Sequence, residues 1–225
     1  MNEVPLSKIV SDNDITCLVG GASIDPAQLE AVSAFVCKYI AVDGGADHLL
    51  SQQRIPLCVI GDLDSLSEHA RATFADRLCH VPDQDTTDFE KAVTQVSAKA
   101  FIALGFTGGR IDHSLAVLSA LATRQLTHVL LVDSVDVSFL AQQGRSTFAL
   151  PIGSRISMMP LDQATVSVTG VTWPFADQLM RPTGFVSPSN AVSDDVVKID
   201  VDGSLLITLP RAQLATALQS IVPAE

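Results

Sequence analysis

The chain has 225 residues, of which 47% are hydrophobic and 17% are charged, a composition that predicts a folded globular protein and excludes a disordered one. A formal net charge of -11, without any run of Lys or Arg, argues against nucleic acid as a partner, because an acidic surface repels a phosphate backbone. The sequence shows neither a signal peptide nor an apolar run of about 18 residues, so we expect a cytoplasmic protein with no membrane association.

The first part of the chain alternates short apolar runs with helical patterns. Asp25 followed by Pro26 is typical of a helix start, with Asp as the N-cap and Pro in the first turn. Thr87 or Asp88 can cap a later helix in the same way. The predicted strands are residues 15–19, 39–42, 57–60, 79–81, 101–104 and 128–132. This alternation predicts a mostly parallel sheet covered by helices.

The second part of the chain has a different pattern, in which short β-rich runs alternate with turn residues. These runs are residues 137–140, 147–150, 155–159, 164–168, 196–201 and 205–209. Their spacing predicts a smaller all-β sandwich domain, closed by a helix over 211–221. We therefore predict an α/β domain over residues 1–140 and a β-sandwich domain over 141–225, with the boundary between 136 and 145.

Carboxylates recur where the predicted strands of the first part end. Asp43 follows the second predicted strand, and Asp62 and Asp64 follow the third. Asp88 lies beyond the fourth. Because the carboxyl ends of parallel strands meet at one edge of a sheet, these side chains can converge on a cation, and Mg²⁺ prefers such oxygen ligands together with substrate phosphates. The alternative is that each Asp only caps the following helix.

Glycine pairs precede two of the predicted helices, at Gly44-Gly45 and Gly108-Gly109. Such pairs can bring backbone N–H groups to phosphate oxygens, although ordinary turns use them too. Arg110, one of few basic groups, can pair with a phosphate or form a salt bridge with a nearby Asp. His113 can contact a nucleotide or substrate, or make a structural hydrogen bond. An anionic substrate would need a metal bridge in this acidic chain.

Two features of the second part are relevant to ligand binding. Trp173 is the only tryptophan, and its ring can bind a flat aromatic or cationic ligand or pack in the core. Residues 187–190 are expected to form a polar turn. Neither feature identifies a ligand alone.

In combination, these motifs resemble those of the thiamin pyrophosphokinase family over nearly the whole chain. The matching segments are residues 43–46, 60–65, 83–89, 108–113, Trp173 and 187–190. The family often has Phe where Leu63 and Ile111 stand, which are apolar exchanges. It often has Thr where Pro188 stands, and Pro188 removes a backbone donor from the thiamin pocket.

The resemblance implies transfer of the pyrophosphoryl group of ATP to the hydroxyl of thiamin, with Mg²⁺ as cofactor and AMP as the second product. It also implies a homodimer with active sites between the subunits. The residues that it assigns to catalysis are Asp43, Asp62, Asp64 and Asp88, and those assigned to the metal are Asp62, Asp64 and Asp88. The residues that it assigns to the nucleotide are Gln84, Asp85, Thr87, Arg110, Asp112 and His113. Those assigned to thiamin are Trp173, Ser187 and Asn190.

Two other functions remain open at this point. A metal-dependent hydrolase of nucleotides or phosphate esters could use the same acidic loops to activate water, and would consume ATP without an acceptor. A regulator that binds thiamin or a nucleotide would retain the pocket without catalysis. Product analysis and binding measurements separate these alternatives.

Overall fold

The computed structural model describes residues 10–11, 14–83 and 85–222, and the chain divides into two compact units. The first unit ends at Val117 and the second begins at Leu118, a position within the helix Ile111–Thr123. Gln84, one of the residues assigned to the nucleotide, lies outside the described residues. No helix in these ranges is long and apolar enough to cross a membrane.

The first unit is built on a parallel sheet. Its strands are β1 (Val10–Ser11), β2 (Ile15–Val19), β3 (Lys38–Val42), β4 (Cys58–Gly61), β5 (Leu78–His80), β6 (Val96–Ser97) and β7 (Ala100–Leu104). Its helices are α1 (Pro26–Ser33), α2 (Gly45–Ser51), α3 (Glu68–Thr73), α4 (Asp88–Gln95) and the start of α5 (Ile111–Thr123). Five strands pair in parallel in the order β7-β2-β3-β4-β5, and β1 pairs with β6 separately. The predicted mostly parallel sheet is confirmed.

The apolar runs of the sequence form the strands because both faces of this sheet are covered. All five residues of β7 are buried, and Leu18 of β2, Ile40 of β3 and Ile60 of β4 are fully buried. A parallel strand buried on both faces needs a continuous apolar run, which is what the sequence supplies. The core of the first unit therefore lies on the sheet.

Two helices begin at residues that the sequence offered as caps. The side chain of Asp25 accepts a hydrogen bond from the Ala27 backbone N–H at 2.8 Å, and Gln28 completes a capping box. Thr87 caps α4, because its hydroxyl oxygen accepts from the Glu90 backbone N–H at 3.3 Å. These caps fix where the chain leaves the carboxyl edge of the sheet.

The strand order reverses at β2, which places a crevice at the carboxyl ends of β2 and β7. The chain runs from β2 to β5 on one side and then returns to place β7 on the other. In open α/β sheets, ligands bind at such a reversal. A Cβ at Gly20 would lie 2.6 Å from the Gly105 carbonyl oxygen, and one at Gly105, where φ is +73°, would lie 2.5 Å from that of Gly20. Glycine at both positions lets the two loops meet.

The second unit is built on antiparallel strands. They are β8 (Val129–Val132), β9 (Asp136–Leu140), β10 (Gly144–Phe148), β11 (Arg155–Thr169), β12 (Phe175–Met180), β13 (Ser187–Ala191) and β14 (Val197–Pro210). Strand β14 pairs with β9, β10 and β11, and β11 also pairs with β12 and β13. A short 3₁₀ turn, Arg211–Gln213, leads into α6 (Leu214–Ile221). The fold class and the closing helix are as predicted.

In two places, two successive runs that were predicted as separate strands form one long strand. Runs 155–159 and 164–168 both belong to β11, whose pairing with β14 shifts between Pro160 and Ala164. Runs 196–201 and 205–209 likewise join in β14 through Gly203, where φ is +121°. A Cβ at Gly203 would lie 2.3 Å from the Gln163 carbonyl oxygen. The glycine therefore marks an irregularity within paired strands rather than a turn between separate ones.

The prediction that residues 187–190 form a polar turn is wrong. They lie in strand β13, which pairs with β11 through Arg155 opposite Ala191 and Ile156 opposite Asn190. Among the described strands β13 pairs only with β11, and an edge strand tolerates Pro188, which has no backbone N–H. Pairing with a distant strand thus outweighs the local preference of Ser, Pro and Asn for turns.

Candidate active site

A pocket of about 910 Å³ opens at the carboxyl edge of the parallel sheet in the first unit. Its volume is within the range of small-molecule sites. Residues after β2, β3, β4 and β7 line it, together with the starts of α2, α4 and α5. The site residues predicted from sequence that line it are Asp43, Asp62, Asp64, Thr87, Asp88, Arg110 and His113.

Three carboxylates from two strand ends converge in this pocket. One oxygen of each of Asp43, Asp62 and Asp64 can be chosen so that all three lie within 4.8 Å of one another. Asp43 follows β3, and Asp62 and Asp64 follow β4, its parallel neighbour. Like charges at this separation repel each other, so the group favours a bound cation.

Asp43 is the most buried member of the group. Its residue is 9% exposed, and none of the described residues makes a hydrogen bond to its Oδ1. The pKa of the Asp43 carboxyl is raised above its ordinary value, mainly because the group is buried. The Ser65 hydroxyl opposes this shift in pKa, and the carboxylates of Asp88, Asp62 and Asp64 add to it. A buried unpaired oxygen is costly unless it has a ligand, so Asp43 Oδ1 points to a missing partner.

The donor set fits a hard divalent cation. All three side chains offer carboxylate oxygens, which suit Mg²⁺, Ca²⁺ or Mn²⁺ rather than the thiolate-binding metals. The oxygens of Asp64 are only partly engaged, since its Oδ1 accepts from the Ser65 hydroxyl at 2.9 Å. Asp62 Oδ1 accepts from the Asp64 backbone N–H at 3.2 Å. Both residues retain oxygens for a metal.

Asp88 lies near Asp43 but is not a member of the group of three carboxylates, and it pairs with Lys91. The assignment of Asp88 to the metal stays a prediction. The Lys91 Nζ lies 2.9 Å from Asp88 Oδ1, and the lysine side chain is only 4% exposed. A Cβ at Gly61 would lie 3.4 Å from Asp88 Oδ1 and 3.1 Å from Asp43 Cβ, so glycine there lets both acidic residues approach the end of β4. Lys91 was missed in the sequence, where the only signal was its spacing of three residues from Asp88 on one helix.

The acidic loop before α4 contributes less to the pocket than the sequence predicted. Asp85 is exposed and does not line the pocket; its backbone N–H donates to Asp83 Oδ1 at 3.0 Å. Thr87 lines the pocket, but its hydroxyl caps α4 and contacts Glu90. The assignments of Asp85 and Gln84 to the nucleotide stay predictions.

At the start of α5, Arg110 and His113 line the pocket. Arg110 forms a two-point ion pair with Asp112, with Nη2–Oδ2 at 2.5 Å and Nε–Oδ1 at 3.1 Å. This hydrogen bonding lowers the pKa of the exposed Asp112 carboxyl. The Arg110 side chain is 70% exposed, so the pair can open at small cost to release the guanidinium for a phosphate.

In the second unit, the three residues assigned to thiamin form one cluster. Asn190 is buried and holds the peptide groups of Trp173, accepting from its N–H at 3.2 Å and donating to its carbonyl at 2.9 Å. Its amide also lies 3.5 Å from the Ser187 hydroxyl. Trp173 is 62% exposed, which excludes the core role that a single tryptophan often has. The ring is therefore presented to solvent on a fixed backbone.

Comparison with known proteins gives two family models that match successive parts of the chain. Residues 32–131 match "Thiamin pyrophosphokinase, catalytic domain", and residues 148–206 match "Thiamin pyrophosphokinase, vitamin B1 binding domain". A Caenorhabditis elegans relative named thiamin pyrophosphokinase 1 is 25% identical over 201 residues, which span 81% of this chain and 82% of the relative. Thiamine pyrophosphokinase 1 of Arabidopsis thaliana is 26% identical over 187 residues, spanning 75% and 70%.

Solved structures show the same fold at lower identity. Thiamin pyrophosphokinase from Candida albicans superimposes with a TM-score of 0.77 at 14% identity, covering 90% of this chain and 93% of that one. The yeast thiamin pyrophosphokinase gives a TM-score of 0.74 at 21% identity, covering 93% and 90%. The fold predicted from the sequence is thus shared with proteins of this name.

Proposed function

The chain belongs to the thiamin pyrophosphokinase family, and we propose from that premise that it uses Mg²⁺ to transfer the pyrophosphoryl group of ATP to the hydroxyl of thiamin. The products are thiamin diphosphate and AMP. The observation that carries this proposal is the convergence of Asp43, Asp62 and Asp64 in the pocket, where a buried oxygen of Asp43 has no partner among the residues that the structure describes. So acidic a pocket can hold a triphosphate only together with a divalent cation.

Asp43, Asp62 and Asp64 would hold the metal. When bound, Mg²⁺ supplies positive charge that offsets the phosphate charge and favours in-line attack at the β-phosphorus. The thiamin oxygen forms a bond to that phosphorus while the bond from the phosphorus to the α–β bridging oxygen breaks, and AMP leaves with the bridging oxygen. Asp88 orients the attacking hydroxyl and accepts its proton. Lys91 engages one oxygen of Asp88, which leaves the other for this role.

The nucleotide occupies the crevice between the β2 and β7 loops. Arg110 exchanges its contact with Asp112 for a phosphate oxygen, and Asp112 holds the guanidinium in place until then. His113 and Thr87 line the same pocket. Thiamin is a cation, and its aromatic rings suit both the acidic pocket and the exposed indole of Trp173, with Ser187 and Asn190 orienting it.

The decisive experiment follows the products of ATP and thiamin by ³¹P NMR, with and without Mg²⁺. We expect equal amounts of AMP and thiamin diphosphate, and none without the metal. Loss of ATP without any requirement for thiamin would instead favour the hydrolase. Tight binding of thiamin by calorimetry, with no product, would favour the regulator.

Replacing Trp173 with Ala is expected to raise the KM for thiamin about tenfold or more and to change kcat little, because stacking on the ring stabilises the ground state and the transition state alike. Steady-state kinetics at saturating ATP measures this. Trp173→Phe keeps an aromatic face, so its KM for thiamin should lie between those of the wild type and Trp173→Ala. The KM for ATP should stay constant in both variants. An unchanged KM for thiamin in Trp173→Ala would remove the indole from the substrate site.

We also propose a homodimer in which the first unit of one subunit supplies catalysis and the second unit of the partner supplies thiamin binding. The exposure of Trp173 supports a role at a shared site. Equal amounts of the inactive variant Asp64→Asn and of Trp173→Ala, which is impaired at low thiamin, are mixed with subunit exchange. At low thiamin the mixture should then show about a quarter of the wild-type activity, since one site in each mixed dimer is intact. If mass spectrometry demonstrates mixed dimers but the activity is not restored, catalysis and thiamin binding at each site come from the same chain.

A cytoplasmic location is part of the proposal. All four cysteines are free thiols, as expected in a reducing compartment. Cys17 and Cys58 are buried, and burial raises the pKa of the Cys58 thiol to about 12, which leaves it unreactive.

A further inference from the structure

The loop between β4 and α3 holds a residue in a conformation that its side chain disfavours. Leu63, between Asp62 and Asp64, has a φ of +66°, in the left-handed region that non-glycine residues rarely adopt. Its side chain is nevertheless buried, at 5% exposed. Such a conformation persists only where the surroundings hold it, and its effect here is to direct two neighbouring carboxylates to one group.

Two contacts from helices hold this loop in place. The Arg71 guanidinium of α3 donates a hydrogen bond to the carbonyl oxygen of Leu63. At the start of α3, both oxygens of Asp47 on α2 accept from Ser67, one from its hydroxyl and one from its backbone N–H at 3.2 Å. The Ser67 contacts fix the helix, and the Arg71 contact transmits its position to the peptide between the two metal-binding side chains.

We propose that Arg71 is a positioning residue for the metal centre, which acts by fixing the Leu63 peptide so that Asp62 and Asp64 point at the same cation. This inference rests on the proposed function, since it assumes that the carboxylate group binds a metal. Arg71 itself does not line the pocket, so a direct contact with a phosphate is not part of its role.

The direction of the effect separates positioning from simple electrostatics. A guanidinium near a cation site repels the cation, so its removal should tighten metal binding if charge alone matters. If Arg71 fixes the loop, its removal should weaken binding, because Leu63 can then relax and the two carboxylates diverge. The two roles therefore predict opposite changes in the dissociation constant.

The experiment is a titration of the ligand-free protein with Mn²⁺, followed by the EPR signal of the free ion. The variant is Arg71→Met and the matched control is Arg77→Met. Arg77 also donates to a backbone carbonyl, that of Pro56 at 3.1 Å, but before β4 rather than after it. Thermal unfolding in EDTA reports on folding without the metal. Asp64→Asn identifies the site that is titrated.

We expect the dissociation constant for Mn²⁺ to rise about tenfold in Arg71→Met, as for the loss of one charged hydrogen bond, and to stay near the wild-type value in Arg77→Met. Equal or tighter binding in Arg71→Met would overturn the positioning role while leaving the metal centre standing. Absence of a Mn²⁺ site sensitive to Asp64→Asn in the wild type would overturn the metal centre itself and this inference with it. If Arg71→Met does not fold in EDTA, Arg71→Gln against Arg77→Gln is judged by the same criterion.

Discussion

Replacing Asp64 with Asn is expected to lower kcat for thiamin diphosphate formation by at least about 10³-fold, with the fold intact. In the proposed metal centre Asp64 would share one cation with Asp43 and Asp62, and an amide is a weaker ligand that carries no charge. Because its side chain is exposed, the substitution removes no core packing. Product formation measured at saturating Mg²⁺ and both substrates, with circular dichroism to monitor folding, tests this expectation.

The matched control for this variant is Asp76→Asn. Asp76 is also an exposed Asp of the first unit, with 77% of its side chain exposed, but it lies away from the pocket. Its substitution should leave kcat within about twofold of the wild type, as for an ordinary surface change. More than a tenth of wild-type activity in Asp64→Asn would remove Asp64 from the metal centre.

Replacing Asp43 with Asn is expected to change stability in opposite directions with and without Mg²⁺. The folded-state pKa of Asp43 is raised, chiefly by burial, so the folded protein binds this proton more tightly than the unfolded chain does. At a pH above the folded-state pKa, the side chain is ionised and its full penalty destabilises the metal-free fold. This penalty disappears as the pH falls below the pKa of Asp43 in the unfolded chain. At pH 7 without metal, Asp43→Asn should therefore raise Tm, because the substitution removes this penalty.

With saturating Mg²⁺ the order should reverse. The wild type gains stability from the bound ion, about 2.7 kcal/mol at a metal concentration of 100 times Kd, and the variant gains little. Activity should fall with the loss of metal binding. Differential scanning calorimetry at several pH values, in EDTA and in Mg²⁺, measures both signs. A variant that is less stable than the wild type in EDTA at pH 7 would show that Asp43 already has a stabilising partner without a cation.

The convergence of the acidic residues was predictable because it depends on topology. A buried parallel strand needs an apolar run on both faces, so β3 and β4 were visible in the sequence, and the carboxyl ends of parallel strands meet at one edge. Asp43, Asp62 and Asp64 follow those two strands directly, which made their proximity an expected result. The caps Asp25 and Thr87 were predictable for a similar reason, since they depend on neighbours within three residues.

The contacts that complete the site were not predictable, because they depend on pairing between distant segments. A lysine three residues after Asp88 usually lies on a solvated helix face, and nothing local indicated that Lys91 is buried. The left-handed Leu63 and its bond to Arg71 contradict local preference and need the packed loop. Asn190 was expected in a turn, but its segment pairs with β11 as an edge strand. This pairing places the Asn190 amide in hydrogen-bonding contact with the Trp173 backbone.

We propose that the carboxylates of Asp43, Asp62 and Asp64 bind one divalent cation that also contacts the triphosphate. A crystal grown with Mn²⁺ and a non-hydrolysable ATP analogue tests it directly, through the anomalous difference map at the manganese edge. We predict a peak about 2.2 Å from an oxygen of at least two of these side chains and from a phosphate oxygen. A fully occupied nucleotide whose manganese lies away from all three carboxylates would contradict the claim.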